Sequence, residues 1–267
     1  MEETLQEQRT IVILGMHRSG TSAITRVINY LGVDLGPSLL SDSEDNETGF
    51  WEHTEIVQLN EWLLQISGSC WEDVCLLPAE WWRSEAIVPI KQAMIEIIKK
   101  DFSMSPLWAI KDPRICRVLP VWHSIFTEIS VIPLYLIVVR DPREIASSLM
   151  KRNSFTLEKS YLLWVTYMFE AERWTRGHNR VFISYKDLLD DWREVVEIIE
   201  NSMQIQWPVR KLEIEHKIDD FLDPALRHHK TTQNLKESDL NIDIRLAQVV
   251  CGLYRALTAE CEWSKGK

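Results

Sequence analysis

The sequence has no C-x-x-C pair: its five cysteines (Cys70, Cys75, Cys116, Cys251 and Cys261) are scattered and odd in number. Neither a zinc site nor a disulfide framework is indicated, and buried thiols in a reducing compartment are the expectation. No apolar run approaches the ~18 residues of a membrane helix. The start, Met1 to Arg9, is polar and acidic where a leader would carry basic residues before an apolar core. A soluble cytoplasmic protein without a membrane partner is expected. Positive charge is also short, with 30 Lys and Arg against 40 Asp and Glu and a formal charge of -10. Proteins that bind polyanions gain affinity from many phosphate contacts, so nucleic acid is not an expected partner. The shortage is local. No Lys or Arg stands between Arg26 and Arg83, where 11 acids do, and elsewhere acids and bases nearly balance.

What is present is enough apolar material for one globular domain: 45% of the 267 residues are hydrophobic. A single domain over residues 1–267 is expected, with residues 1–9 as a flexible tail. Short runs rich in Ile, Val and Leu at Thr10–Met16, Leu107–Ile110, Leu134–Val139 and Val181–Ser184 have strand length. Near-continuous apolar runs suit strands buried on both faces of a parallel sheet. Helix-period stretches lie between and after them at Thr21–Leu31, Glu55–Ile66, Glu85–Lys99, Pro142–Met150, Leu157–Arg176, Asp187–Ser202 and Ile242–Glu260. This alternation predicts an α/β fold, a three-layer sandwich with a central parallel sheet of P-loop NTPase-like topology and helices on both faces. Gly36–Gly49 and Asp219–Leu240 read as long polar loops, a length usually tied to function. There is no internal repeat and no low-complexity segment.

The first strand runs into Gly15-Met16-His17-Arg18-Ser19-Gly20-Thr21-Ser22 and then a helix. A glycine-containing turn between strand and helix lets backbone N–H groups and the helix N-terminus converge on an anion. Compared with G-x-x-x-x-G-K-[ST], Thr21 occupies the lysine position and Arg18 is the nearby cation. A nucleoside triphosphate site needs that lysine and a bound magnesium, so a P-loop kinase using ATP becomes the weaker alternative. The third strand ends in Arg140-Asp141-Pro142-Arg143, with Ser148 eight residues after Arg140. A guanidinium offers two directed donors to phosphate oxygens and a nearby hydroxyl a third. On the kinase alternative, Asp141 would instead hold magnesium. Arg143 and Glu144 themselves read as a solvated helix start.

These segments resemble the sulfotransferases that use 3′-phosphoadenosine 5′-phosphosulfate (PAPS) as donor, in particular the bacterial type, from Thr10 to about Lys230. By this resemblance Arg18-Ser19-Gly20-Thr21-Ser22 is the [KR]-S-G-T-[ST] loop. Arg18, Thr21 and Ser22 then bind the 5′-phosphosulfate, and Arg140 and Ser148 grip the 3′-phosphate. Val181-Phe182-Ile183-Ser184-Tyr185-Lys186-Asp187-Leu188 is similar to the family's strand ending in Tyr-x-Asp-Leu. It implies Tyr185 against the adenine region; a packed tyrosine with Asp187 capping a helix is the alternative. Arg227, in the basic island Leu222–Lys230, corresponds to a late loop that closes on the 3′-phosphate.

The resemblance also implies the chemistry: transfer of a sulfuryl group to an alcohol or phenol, in line, releasing adenosine 3′,5′-bisphosphate, with no metal required. Glu52 in Gly49-Phe50-Trp51-Glu52-His53 is the expected base, with His53 the alternative. Phe50 and Trp51 could shield Glu52 and raise its pKa. Lys111, in Ala109-Ile110-Lys111-Asp112-Pro113-Arg114, matches a Lys-Asp-Pro segment whose lysine neutralises the leaving oxygen, Asp112 fixing it or a neighbouring arginine. Arg114 is a further anion ligand candidate. Trp81 and Trp82 could line an acceptor pocket or belong to the core. The acidic stretch suggests a small-molecule or sugar acceptor that carries a cationic group. A non-catalytic protein that binds the nucleotide alone is the remaining alternative.

Overall fold

The computed structural model describes residues 7–41, 49–222 and 235–266. Four parallel strands, β1 (Arg9–Leu14), β2 (Leu107–Lys111), β3 (Ile132–Val139) and β4 (Arg180–Ser184), form a sheet in the order β2-β1-β3-β4. The register pairs Ile13 with Lys111, Leu14 with Ile137 and Val139 with Ser184. The strands therefore end together on one edge. The first strand starts at Arg9, whose guanidinium donates to Gln204 O at 2.7 Å and Met203 O at 2.5 Å.

Each strand is apolar on both sides because both faces are covered. Val12, Leu14, Trp108, Ile110, Tyr135, Ile137 and Phe182 pack to one side. That side carries helices α2 (Thr54–Ile66), α3 (Val88–Phe102), α4 (Ile115–Glu128), α5 (Pro142–Asn153), α6 (Leu157–Thr175) and α10 (Ile244–Lys265). Ile11, Ile13, Ala109, Leu134, Leu136, Val138, Val181 and Ile183 pack to the other. There they meet α1 (Thr21–Tyr30), α7 (Tyr185–Asp190), α8 (Trp192–Met203) and α9 (Lys211–Phe221). The three-layer α/β sandwich matches the sequence expectation.

Three elements differ from it. The pattern over Asp187–Ser202 is two helices, because Asp191 leaves helical geometry (φ -152, ψ 86) and its carboxylate caps α8. Helix α4 was not anticipated. It contains Pro120, an ordinary helix breaker, tolerated because the chain kinks at Val118 (φ -112, ψ 16). The loop expected from Asp219 opens inside α9, where Ile214 and Ile218 are buried. Among the described residues no helix is long and apolar enough to cross a membrane.

Candidate active site

The strand order reverses around β1, the place where open α/β sheets leave a crevice beyond the carboxyl ends. Each strand end delivers one of the singled-out segments there: the 15–20 loop after β1, Lys111 ending β2, Arg140 after β3 and Tyr185 after β4. The 15–20 loop is tight. Gly20 has φ 92, and a Cβ there would lie 2.1 Å from Cδ2 of the Tyr185 ring. Only glycine allows Tyr185 to pack against the start of α1. Arg18 is left-handed too, at φ 69. The Ser19 N–H donates to Met16 O at 3.1 Å, while the fully buried Ser19 Oγ has no hydrogen-bond partner among the described residues. A buried hydroxyl without a partner costs about 1–3 kcal/mol. Behind the loop, Gly15 N–H points at Cys116 Sγ, 3.3 Å away, and burial pushes this thiol up to about 12.

The two arginine motifs meet. Arg140 Nη1 donates to Arg18 O at 2.8 Å, and Arg18 Nε donates to Ser148 Oγ at 2.8 Å. The Arg140 guanidinium also lies 4.5 Å from the Tyr185 ring centroid and donates from Nε to Glu144 at 2.9 Å. Glu144 is 1% exposed, so the reading of Arg143 and Glu144 as a solvated helix start is corrected: the first turn of α5 faces inward and needs the carboxylate to hold Arg140. Arg143 is itself bound to Asp141 at 2.7 Å. Asp141, the magnesium ligand of the kinase alternative, accepts from Arg143 N at 2.8 Å and caps α5. The cap of α7 is Ser184, which accepts from Lys186 N and Asp187 N, rather than Asp187. Asp187 pairs with Lys265 at 2.9 Å.

The Phe50–His53 segment is tied at every residue. Phe50 O accepts from Lys111 Nζ at 2.7 Å and from Ser22 Oγ at 3.3 Å. Trp51 has φ 56, and its ring lies 4.2 Å from the Arg26 guanidinium. Glu52 Oε1 accepts from Lys111 Nζ at 2.6 Å, and its backbone O accepts from Leu40 N at 2.8 Å. Both Glu52 and Lys111 are buried. Burial raises the Glu52 carboxyl above its ordinary 4.5, Asp112 adding to the rise while Lys111 and Arg114 oppose it. Asp112 holds the neighbouring arginine, accepting from Arg114 N at 3.0 Å and Nη1 at 2.9 Å, and also accepts from Asn60 at 2.8 Å. Arg114 pairs with Glu61 as well and comes within 3.9 Å of Glu52.

His53 does not join Lys111. It precedes α2, and its Nε2 lies 2.9 Å from Asp101. His53, Asp101 and Glu55 bring three potential ligand atoms within 4.8 Å of one another. The positive end of the α2 dipole disfavours a cation there, and Lys100 is 3.8 Å from Asp101.

His17 was not singled out in the sequence, though it neighbours Arg18 in the loop. Its ring lies tilted against Trp71, centroids 4.8 Å apart, and 5.8 Å from Tyr167. Burial, then Arg114, Arg152, Lys111 and Arg18, hold its imidazole well below 6.5. Trp71 is placed by a strap without regular structure over 71–75. Tyr167 OH donates to Trp71 O at 2.6 Å, Arg117 to Asp73 O at 2.8 Å and Cys75 O at 2.5 Å, and Thr166 to Val74 O at 2.9 Å. Trp81 is buried in the core, and Trp82 packs edge-on against Trp174 at 5.2 Å. Arg227 lies outside the described residues.

No protein-family model and no curated protein sequence matches the chain. Solved structures do. The sulfotransferase domain from the Synechococcus PCC 7002 olefin synthase is similar with a TM-score of 0.54 at 17% identity, over 97% of this chain and 98% of that one. The sulfotransferase domain from the curacin biosynthetic pathway is similar with a TM-score of 0.50 at 13% identity, over 92% and 96%. At such identities the likeness is one of fold.

Proposed function

We propose that the chain is a sulfotransferase that moves the sulfuryl group of PAPS to the hydroxyl of a small-molecule or sugar alcohol, or of a phenol. The observation that carries this reading is the buried Glu52–Lys111 pair, 2.6 Å apart, tied through Phe50 O to Ser22 at the head of α1. A carboxylate and a cation beside the loop proposed to hold the donor are what the transfer needs, and this supports the reading. The fold likeness to sulfotransferase domains supports it.

In this mechanism the 15–20 loop with Thr21 and Ser22 holds the 5′-phosphosulfate, and Arg140, steadied by Glu144, meets the 3′-phosphate. Tyr185 offers its ring to the adenosine side. The acceptor oxygen attacks sulfur while Glu52 takes the hydroxyl proton. The bond from sulfur to the bridging oxygen breaks, and Lys111 stabilises the negative charge left on the phosphate of adenosine 3′,5′-bisphosphate. Glu52 is favoured over His53 as base because it touches Lys111 and His53 touches Asp101.

Calorimetry with adenosine 3′,5′-bisphosphate, paired with labelled PAPS offered to a cell extract and mass spectrometry of the product, tests the proposal. Binding and a sulfated product are expected. Magnesium-dependent ATP binding with no response to the bisphosphate would favour a kinase, and binding without any product a non-catalytic nucleotide binder.

A further inference from the structure

One face of α1 reaches past the anion loop to the segment that carries Glu52. Ser22, Arg26 and Tyr30 are spaced by four residues and so line the same side of the helix. Ser22 bonds to Phe50 O, and the Arg26 guanidinium stands 4.0 Å from the Tyr30 ring centroid and 4.2 Å from that of Trp51. Arg26 is further fixed by Nη1 donating to Asn29 Oδ1 at 2.7 Å, and Asn29 in turn donates to Val33 O. The guanidinium is thus held between two aromatic faces.

Trp51 has a left-handed backbone, φ 56, a conformation that a residue with a Cβ keeps only when its surroundings enforce it. Its neighbour Glu52 is aimed at Lys111 from that turn of the chain. A change at Trp51 to the ordinary extended or helical region would rotate the following peptide and carry the Glu52 side chain off Lys111. The planar charge of Arg26 over the indole resists this change.

We infer that Arg26 is a positioning residue for the sulfuryl transfer: its stacking on Trp51 holds the chain in the turn that points Glu52 at Lys111. The inference rests on the proposed function for its kinetic consequence, but its structural half stands alone. Arg26→Met keeps the length of the side chain and removes the charge and the plane. It should lower turnover about tenfold while binding of adenosine 3′,5′-bisphosphate stays within about twofold. It should also speed amide exchange at Leu40 and Thr54, whose N–H groups bond to Glu52 O and Ser38 O at 2.8 Å each. Glycine adopts positive φ at no steric cost, so adding Trp51→Gly to Arg26→Met should recover at least about threefold of the lost turnover.

Unchanged turnover and exchange in Arg26→Met would overturn the inference. So would a double variant no better than the single one, or a loss of bisphosphate affinity parallel to that of turnover. If the unaltered protein transfers no sulfuryl group, the functional proposal fails, and the exchange rates at Leu40 and Thr54 still decide whether Arg26 clamps the segment.

Discussion

Arg140 and Glu52 are asked to do separable things, and substitutions can separate them. Arg140→Ala removes the fork for the 3′-phosphate and also the ion pair with Glu144, a buried carboxylate, so it should lower stability as well as affinity. Arg140→Lys keeps a cation beside Glu144 and loses the planar fork, including its bond to Arg18 O and its place over the Tyr185 ring. It should weaken adenosine 3′,5′-bisphosphate binding about tenfold or more, since charged hydrogen bonds contribute ~1.5–3 kcal/mol, with a smaller drop in melting temperature than Arg140→Ala; unaltered affinity in calorimetry would remove Arg140 from the donor site. Glu52→Gln should leave that affinity nearly intact and lower turnover by roughly 10²–10⁴-fold. The active form of Glu52 is the deprotonated one, and its burial raises the pKa above 4.5. Turnover should therefore climb with pH through a midpoint above 4.5, and the climb should vanish in Glu52→Gln. A wild-type rate flat down to pH 4.5 would show that Glu52 is not the base. The sequence made these residues visible because each motif is local and chemically unusual, such as Arg18 among Gly, Ser and Thr. It did not show that Arg18 and Arg140 touch, because that contact spans residues far apart in the chain and exists only once β1 and β3 lie side by side.

Strands and their end loops were readable because burial on both faces writes itself as unbroken Ile, Val and Leu. Helix α4 was not, since Pro120 argues against a helix and only the kink at Val118 reconciles them. The 71–75 strap was invisible for a different reason. Its stability comes from side-chain donors on α4 and α6, between 42 and 96 residues away in sequence, and nothing within 71–75 forecasts them. The strap sets Trp71 against His17 and so bounds one wall of the site. Tyr167→Phe deletes the bond to Trp71 O and leaves that carbonyl without its donor. It should cost about 1 kcal/mol, read as a melting point lower by roughly 2–4 °C, together with faster amide exchange in 71–75. A melting point and exchange equal to the parent would show that the strap is held by packing alone.

At the scale of the whole molecule, the charge of -10 is a poor guide to the site. Four of the described acids between Arg26 and Arg83 pair with bases. Glu52 meets Lys111, Glu61 meets Arg114, Glu72 meets Lys159 at 2.7 Å and Glu80 meets Arg83 at 2.7 Å. Asp34 and Asp73 are taken up by hydrogen bonds with Ser105 and Ser69. Asp42, Glu44, Asp45 and Glu47 lie outside the described residues. A sequence whose acids and bases segregate suggests a cation-seeking surface, yet near the site Glu52 and Glu61 are paired with Lys111 and Arg114, which offsets their charge at short range. Beyond ~10 Å at 0.1 M salt what remains is screened. Two alcohols of the same size, one neutral and one carrying an ammonium group, should therefore give kcat/KM values within about threefold of each other, and the ratio should change little between low and high salt. A preference of about tenfold or more for the ammonium alcohol at low salt, collapsing as salt is added, would mean that unpaired acids face the acceptor and that the cationic acceptor suggested by the sequence is the right one.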